Sequence, residues 1–257
     1  MRVITANLNG IRAAARKGFF DWLPEQNTDF VCIQETKAQI DQLSAPEFHP
    51  EGYHCYYRDA VKKGYSGTAI YAKREPDNVV DALGWEPCDF EGRYLRADYA
   101  KLSVLSVYFP SGTSGDERQA FKYEFLDNIL EHFRELKASG REVVICADWN
   151  IAHTEKDIKN WRGNKKNSGF LPEERAWLDM LYDEEGWVDA FRTVNDLDEQ
   201  YTWWSNRGNA RANNVGWRLD YQVTTPALAA TTQAVSVYTD NWFSDHAPLT
   251  MDYDFDY

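Results

Sequence analysis

No stretch of the sequence approaches the roughly 18 uninterrupted apolar residues of a membrane span, and the opening MRVITANLNGIR lacks the apolar core of a signal peptide. These absences point away from a membrane and set the cytoplasm as the expected compartment. Cysteine is scarce. Cys32, Cys55, Cys88 and Cys146 are widely spaced and three lie in apolar or aromatic runs, which fits reduced buried thiols better than disulfides or a Cys-ligated zinc. There is no short internal repeat, no low-complexity tract and no Pro/Ser-rich linker, so one domain over residues 1–257 is expected. Positive charge is also in deficit. A net charge of -13 argues, taken alone, against binding a polyanion, which relies on Lys and Arg to neutralise phosphates.

What is present qualifies that last exclusion. Acidic residues gather in GDERQAFKYEFLDNILEHFRE and LYDEEGW, whereas KDIKNWRGNKKNSG and SNRGNARANNVGWR are basic and polar. Each of the latter is either a solvated loop or part of a local basic face. The 43% apolar and 15% aromatic content is ample for a buried core. Strand-length runs rich in β-branched and aromatic residues recur along the chain: RVITANL, DFVCIQE, GYHCYYR, GTAIYAK, RYLRADYA, LSVLSVYF, EVVICAD, RLDYQVTT, AVSVY and APLTMDYD. Helical patterns lie between some of them, in GIRAAARKGFFDWLPEQ, ERQAFKYEFLDNILEHFRELKAS and LPEERAWLDMLYDE, the last with Pro172 near its first turn followed by acids. So many strands with so few helices exceed a simple doubly wound sheet. Two sheets packed face to face with helices outside satisfy both facts.

Several strand runs end in side chains that bind metal or phosphate: Asn7, Glu35, Tyr108, Asp148 with Asn150, Asp220, and Asp245 with His246 just before APLTMDY. Any one of these is explained as a capped turn. Brought to one edge of a sandwich, the carboxylates repel unless a cation lies between them. Hard oxygen ligands without a Cys or multi-His cluster favour Mg²⁺ or Mn²⁺ over zinc.

The blocks NLNGIR, CIQETK, GYSGTAIY, GRYLRADY, VYFPSG, ADWNIAH, DIKNWRGNKKNSGFLPEERAWLD, YTWWSNRGNARANNVGWRLDYQ and FSDHAPL run the length of the chain. With them it resembles the exonuclease III family of abasic-site endonucleases, within the endonuclease/exonuclease/phosphatase superfamily. The resemblance implies a four-layer α/β sandwich of two mainly antiparallel sheets flanked by helices. It also implies Mg²⁺-dependent cleavage 5′ to an abasic site, leaving a 3′-OH, with some 3′-5′ exonuclease and 3′-phosphatase activity, in a monomer acting on double-stranded DNA. Residue by residue it implies Glu35 as the main metal ligand with Asn7 nearby, Asp245 near the metal or at an alternative metal position, and Asp148 activating or orienting water. Asn150 and His246 would contact the scissile phosphate and Asp220 would orient His246; Tyr108 would either contact the phosphate or assist the nucleophile. Trp203, Trp217 and Leu219 match positions lining the pocket for a flipped abasic sugar. Lys165, Arg207 and Arg211, with Arg12, Lys62, Lys63 and Lys166, are candidates to hold the duplex backbone. The chain departs from the commoner family form at Ala147, Trp149 and His153, positions of packing and loop exit.

Two other readings stay in view. The catabolite repression control proteins of this fold act in RNA-level regulation and keep blocks like DIKNWR and GWR, but lack the acid and amide of DWN and the acid of SDHAP; this sequence has them. Superfamily phosphatases acting on inositol phosphates or sphingomyelin share the metal and histidine chemistry. Against them, KNW and NNVGWRLDY favour the nucleic-acid branch.

Overall fold

The structure, a computed structural model, describes residues 1–257. Fourteen strands form along the chain: β1 (Arg2–Asn7), β2 (Phe30–Gln34), β3 (His54–Arg58), β4 (Thr68–Ala72), β5 (Asn78–Val80), β6 (Tyr94–Asp98), β7 (Leu102–Tyr108), β8 (Glu142–Asp148), β9 (Val188–Asp189), β10 (Trp203–Trp204), β11 (Gly216–Trp217), β12 (Asp220–Thr224), β13 (Thr232–Val237) and β14 (Leu249–Tyr253). Two six-stranded sheets result, ordered β13-β14-β1-β2-β4-β3 and β5-β6-β7-β8-β12-β9, with β10-β11 as a separate ribbon. Pairing is mainly antiparallel. The exceptions are the central pairs β1–β2 and β7–β8, which run parallel.

Period-two alternation explains the layering. Val3, Cys32, Val104, Val144 and Cys146 face the space between the sheets, while their neighbours Ile4, Val31 and Ile33 turn to one outer layer and Leu105, Val143 and Ile145 to the other. The outer layers are helical. Helix Asp116–Ala138 lays Lys122, Phe125, Leu126, Ile129, Leu130, Phe133 and Leu136 inward, the three-and-four spacing of a single helix face. Helix Pro172–Asp183 packs beside it through Trp177, Leu178 and Leu181. The expected helix over GIRAAARKGFFDWLPEQ forms in three pieces, Ile11–Arg16, Phe19–Trp22 and a 3-10 turn Leu23–Gln26. Gly18, at φ 87°, breaks it where a residue with a side chain would be strained. All four cysteines are free, three of them buried.

Near one end of the sandwich the inter-sheet space turns polar, and side-chain hydrogen bonds cross it. Gln34 Nε2 donates to Ser106 Oγ at 3.0 Å and to the Cys146 carbonyl at 3.2 Å, and Ser106 Oγ donates to the Ile33 carbonyl at 2.8 Å. These bonds tie the parallel pairs of the two sheets together where all four strands reach their carboxyl ends. Low dielectric strengthens such buried bonds.

Candidate active site

The strand ends bring their polar residues to one cleft of about 650 Å³, which Glu35, Tyr108, Asp148, Asn150, Asp245 and His246 line while Asn7 and Asp220 lie buried behind it. Asn7 closes β1 and Glu35 follows β2, from one sheet. Tyr108 and Asp148 end β7 and β8 in parallel register, and Asp220 opens antiparallel β12 directly opposite Asp148, from the other sheet. The backbone turns sharply as it leaves the strands, with Glu35 at φ 54° and Asn150 at φ 50°. Left-handed conformations at residues other than glycine are uncommon and mark functional turns more often than chance. Asp245 and His246 come from the loop before β14, and Trp203 bridges to His246 across the ribbon edge.

The ligand atoms of Glu35, Asp148 and His246 lie within 4.8 Å of one another. Asn7 Nδ2 donates to Glu35 Oε1 and to Asp148 Oδ2, both at 2.8 Å, while its oxygen accepts the Asn9 N–H at 2.9 Å. Asn7 therefore turns its nitrogen, not its oxygen, toward the two carboxylates. Asp148 is also fixed by the Asn150 N–H at 2.9 Å. Burial pushes its carboxyl up, and although His246 works against the shift, Asp220 and Glu35 add to it, for a value of about 7. His246 Nδ1 is 2.8 Å from Asp220 Oδ2, and its Nε2 is 3.8 Å from Asp148 Oδ2. Burial alone would lower the imidazole; Asp220 and Asp148, with Asp245 behind them, overcome it and raise the value to about 10. Its Nδ1–H faces Asp220, which leaves Nε2–H for the cleft.

Asp245 lies outside the three-residue group. Its Oδ1 accepts from Asn9 Nδ2 (2.9 Å) and Ser244 Oγ (3.1 Å), and its Oδ2 from Trp203 Nε1 (3.1 Å). Burial would raise it, but His246 and these donors hold it below the usual carboxylate range. Asn150 Nδ2 donates to the Phe109 carbonyl at 2.9 Å. Burial lifts the Tyr108 phenol well above its ordinary value, and Glu35 and Asp148 add to the effect against Arg93. The Arg93 guanidinium sits 4.6 Å over the Tyr108 ring and donates to its carbonyl.

The donor set fits a hard divalent cation. Glu35 and Asp148 bring carboxylate oxygens together beside His246, and Lys37 Nζ sits 2.7 Å from Glu35 Oε2 as a counter-charge. Beside this centre, Trp203 and Trp217 stand edge to face at 6.1 Å and, with Leu219, form an apolar wall of the same cleft. The backbone candidates are less concentrated. Lys166 lines the cleft. Lys165 places its ammonium 4.5 Å from the Trp161 ring, Arg207 is exposed, and Arg12, Lys62 and Lys63 are exposed on other loops. Arg211 is stacked between Trp204 and Trp242 and donates to the Ser244 carbonyl, bracing the Asp245 loop from behind. His153 bonds Asp179 at 2.7 Å, away from the cleft. Sequence reasoning missed Asn9 and Lys37, both in quoted blocks, and Lys122 and Glu174, which no local pattern distinguishes.

The profile of the Endonuclease/Exonuclease/phosphatase family matches residues 4–246. The chain belongs to this family. An exodeoxyribonuclease of Bacillus subtilis (strain 168) is 40% identical over 253 residues, covering 98% of each chain. Among solved structures, an AP endonuclease from Archaeoglobus fulgidus superposes with a TM-score of 0.91 at 28% identity, covering 99% of this chain and 100% of that one. A 3′ phosphatase from Neisseria bound to a product DNA hairpin gives 0.90 at 27% identity, with the same coverage. The four-layer sandwich of the family is thus the architecture of this chain, and the family relationship makes it a metal-dependent hydrolase of phosphate esters.

Proposed function

We propose that this chain is a DNA-repair nuclease that hydrolyses the phosphodiester 5′ to an abasic site in double-stranded DNA, and that the same centre trims blocked 3′ ends. The chain is a nuclease hydrolase, and its relatives include an exodeoxyribonuclease, an AP endonuclease and a 3′ phosphatase. One observation carries the choice of substrate: the acid, amide and imidazole centre of Asp148, Asn150 and His246 opens onto an apolar corner made by the perpendicular rings of Trp203 and Trp217. That corner suits a deoxyribose without its base, because a nucleotide that retains a base presents bulk the cleft must refuse. The nucleases among the relatives favour this reading over the RNA-regulatory one.

In the proposed reaction Asp148 orients the attacking water and takes its proton, the water oxygen bonds to phosphorus as the bond from phosphorus to the upstream 3′ oxygen breaks, and the departing oxygen takes a proton from solvent. That oxygen leaves as the 3′-OH and the phosphate stays on the abasic sugar. His246 Nε2–H, held by Asp220, and the Asn150 amide hydrogen-bond the phosphoryl oxygens as their charge grows. Glu35, joined by Asp148, would hold Mg²⁺, with Mn²⁺ able to substitute, and Asp245 marks an alternative position. A bound ion supplies positive charge to the phosphoryl oxygens and the departing oxygen. Asn7 keeps the two carboxylates at a fixed separation, and Tyr108 supports the phosphate. Lys165, Lys166 and Arg207 contact the duplex backbone. The working unit is a single domain of residues 1–257, a monomer in the cytoplasm; no helix is long and apolar enough to cross a membrane.

The test is an end-labelled duplex carrying one abasic analogue, incubated with Mg²⁺ or EDTA. Metal-dependent incision immediately 5′ of the lesion is expected. Asp148→Asn should lose about two to three decades in rate, and incision at the wild-type rate by that variant would exclude the role given to Asp148.

A further inference from the structure

Helix Asp116–Ala138 shows the sheet an apolar face with one cation in it. Lys122 and its partner Glu174, from helix Pro172–Asp183, are both fully buried, with Nζ 2.6 Å from Oε1. Neither lines the cleft, yet their hydrogen bonds lead to it. Lys122 Nζ also donates to the Asn150 carbonyl at 2.8 Å. Glu174 Oε1 accepts further bonds from Gln119 Nε2 (3.1 Å) and Ser168 Oγ (3.2 Å), and Oε2 accepts the Gly169 N–H (2.6 Å) and the Leu171 N–H (3.1 Å). Ser168 Oγ in turn accepts the Gly112 N–H at 3.1 Å.

We propose that Lys122 and Glu174 are positioning residues for phosphodiester hydrolysis: the buried pair fixes the orientation of Asn150 and the wall of the cleft formed by residues 168–171. The proposal rests on the functional reading above. Stability does not explain the pair, since two charges taken from water usually gain little over apolar residues of equal volume. Direction does. Asn150 holds a left-handed backbone, and three of its polar groups are bonded: N–H to Asp148, Nδ2 to the Phe109 carbonyl, and carbonyl to Lys122. Releasing the carbonyl frees the peptide that aims the amide. The same pair sets the facing loop. A Cβ at Gly169 would lie 3.2 Å from the Asn150 carbonyl oxygen and 3.1 Å from the Trp217 ring, so the loop rests directly on both the polar centre and the aromatic wall. A shift of the loop moves both.

The decisive variant is Lys122→Met/Glu174→Gln, which leaves no buried charge and keeps a carboxamide oxygen for the Gly169 and Leu171 N–H groups. Single-turnover incision of the abasic duplex, Kd for that duplex in EDTA, melting temperature, and amide hydrogen exchange of segments 150–152 and 168–171 are measured against wild type. Expected are a melting temperature close to wild type because the lost pair contributes little net stability, Kd within about threefold, incision slowed by about 10- to 100-fold as a sub-ångström displacement of a reacting group requires, and faster exchange in both segments. Wild-type incision and exchange in the folded variant would overturn the proposal. Should the variant not fold, Ser168→Ala cuts the outer link alone and is expected to slow incision and speed exchange of 168–171; no change in either overturns the proposal. Wild-type protein that does not cut abasic duplexes overturns the functional reading instead, and exchange in the variants then decides whether the pair holds the wall.

Discussion

Trp203 does two jobs with one side chain. Its ring walls the cleft and its Nε1–H donates to Asp245 at 3.1 Å, so the apolar surface proposed to meet the sugar also anchors the acid beside His246. The conservative change Trp203→Phe separates these jobs, keeping an aromatic ring in the wall and deleting the donor. A hydrogen bond to a charged acceptor contributes about 1.5–3 kcal/mol. The expected outcome is abasic-duplex binding close to wild type with kcat lowered about tenfold or more; a rise in Kd with kcat unchanged would show that only the wall matters. Asp220→Asn addresses the other anchor. The imidazole owes much of its raised value to Asp220, and losing that partner leaves a buried cation less compensated and free to turn. Incision should fall by about two to three decades, the range of removing one preorganised charge-stabilising group, with the folded state confirmed by circular dichroism.

At the scale of elements, the loop that carries DIKNW is fastened by a buried ionic network rather than by apolar packing alone. Asp157, in the 3-10 turn Glu155–Asp157, accepts from Arg218 Nε at 2.7 Å and Arg192 Nη2 at 2.6 Å, and Arg218 Nη2 reaches Asp189 in β9 at 2.7 Å. One carboxylate thus joins the turn, the ribbon exit and helix Ala190–Val194. Burial by itself would raise the Asp157 carboxyl, but the two guanidinium groups outweigh it and hold it far below the usual carboxylate range. A carboxyl depressed on folding stabilises the native state fully above its unfolded value, near 4. That contribution is lost as pH falls toward the depressed value, because the unfolded chain then takes up the proton first. Chemical denaturation should show stability decreasing as pH falls below about 4, with a smaller decrease in Asp157→Asn. Breaking a buried pair from one side costs about 3–5 kcal/mol, so Asp157→Asn should lower the melting temperature clearly at pH 7.

For the whole molecule the question is how a chain of net charge -13 meets a polyanion. The 28 Lys and Arg side chains are outnumbered by 41 acids, and the basic residues nearest the cleft sit on loops and turns. Lys166 lies at the cleft, Lys165 beside Trp161, and Arg207 on the exposed turn after the ribbon strand β10. Phosphate contacts release counterions, so the logarithm of affinity falls linearly with the logarithm of salt, by about 0.9 per contact. Duplex binding should therefore weaken steeply with salt despite the acidic total. Lys165→Ala should weaken it uniformly across sequences and reduce the slope by about one. A slope unchanged in that variant would remove Lys165 from the interface. Distant acidic helices affect the rate of encounter more than the bound contacts, since screening reaches only about 8 Å at physiological ionic strength.

The sequence by itself determined the α/β class, the ten longer strands and the two long helices, because period-two and helical spacing are local properties that survive in one dimension. It also named half of the residues that line the cleft, since a strand that stops at Asp148 or just before Glu35 declares its end in its own letters. The short strands β5, β9, β10 and β11 were not legible, because two or three residues carry no period and form only against partners already in place. Nor were the duties of particular side chains. Asn7 turns its amide nitrogen to two acids, Arg211 braces a loop between two indoles, and Lys122 enters an apolar helix face to meet Glu174. Each depends on at least one partner more than 25 residues away along the chain meeting at hydrogen-bond or stacking distance, and only the packing of the two sheets and their helices decides which of them meet.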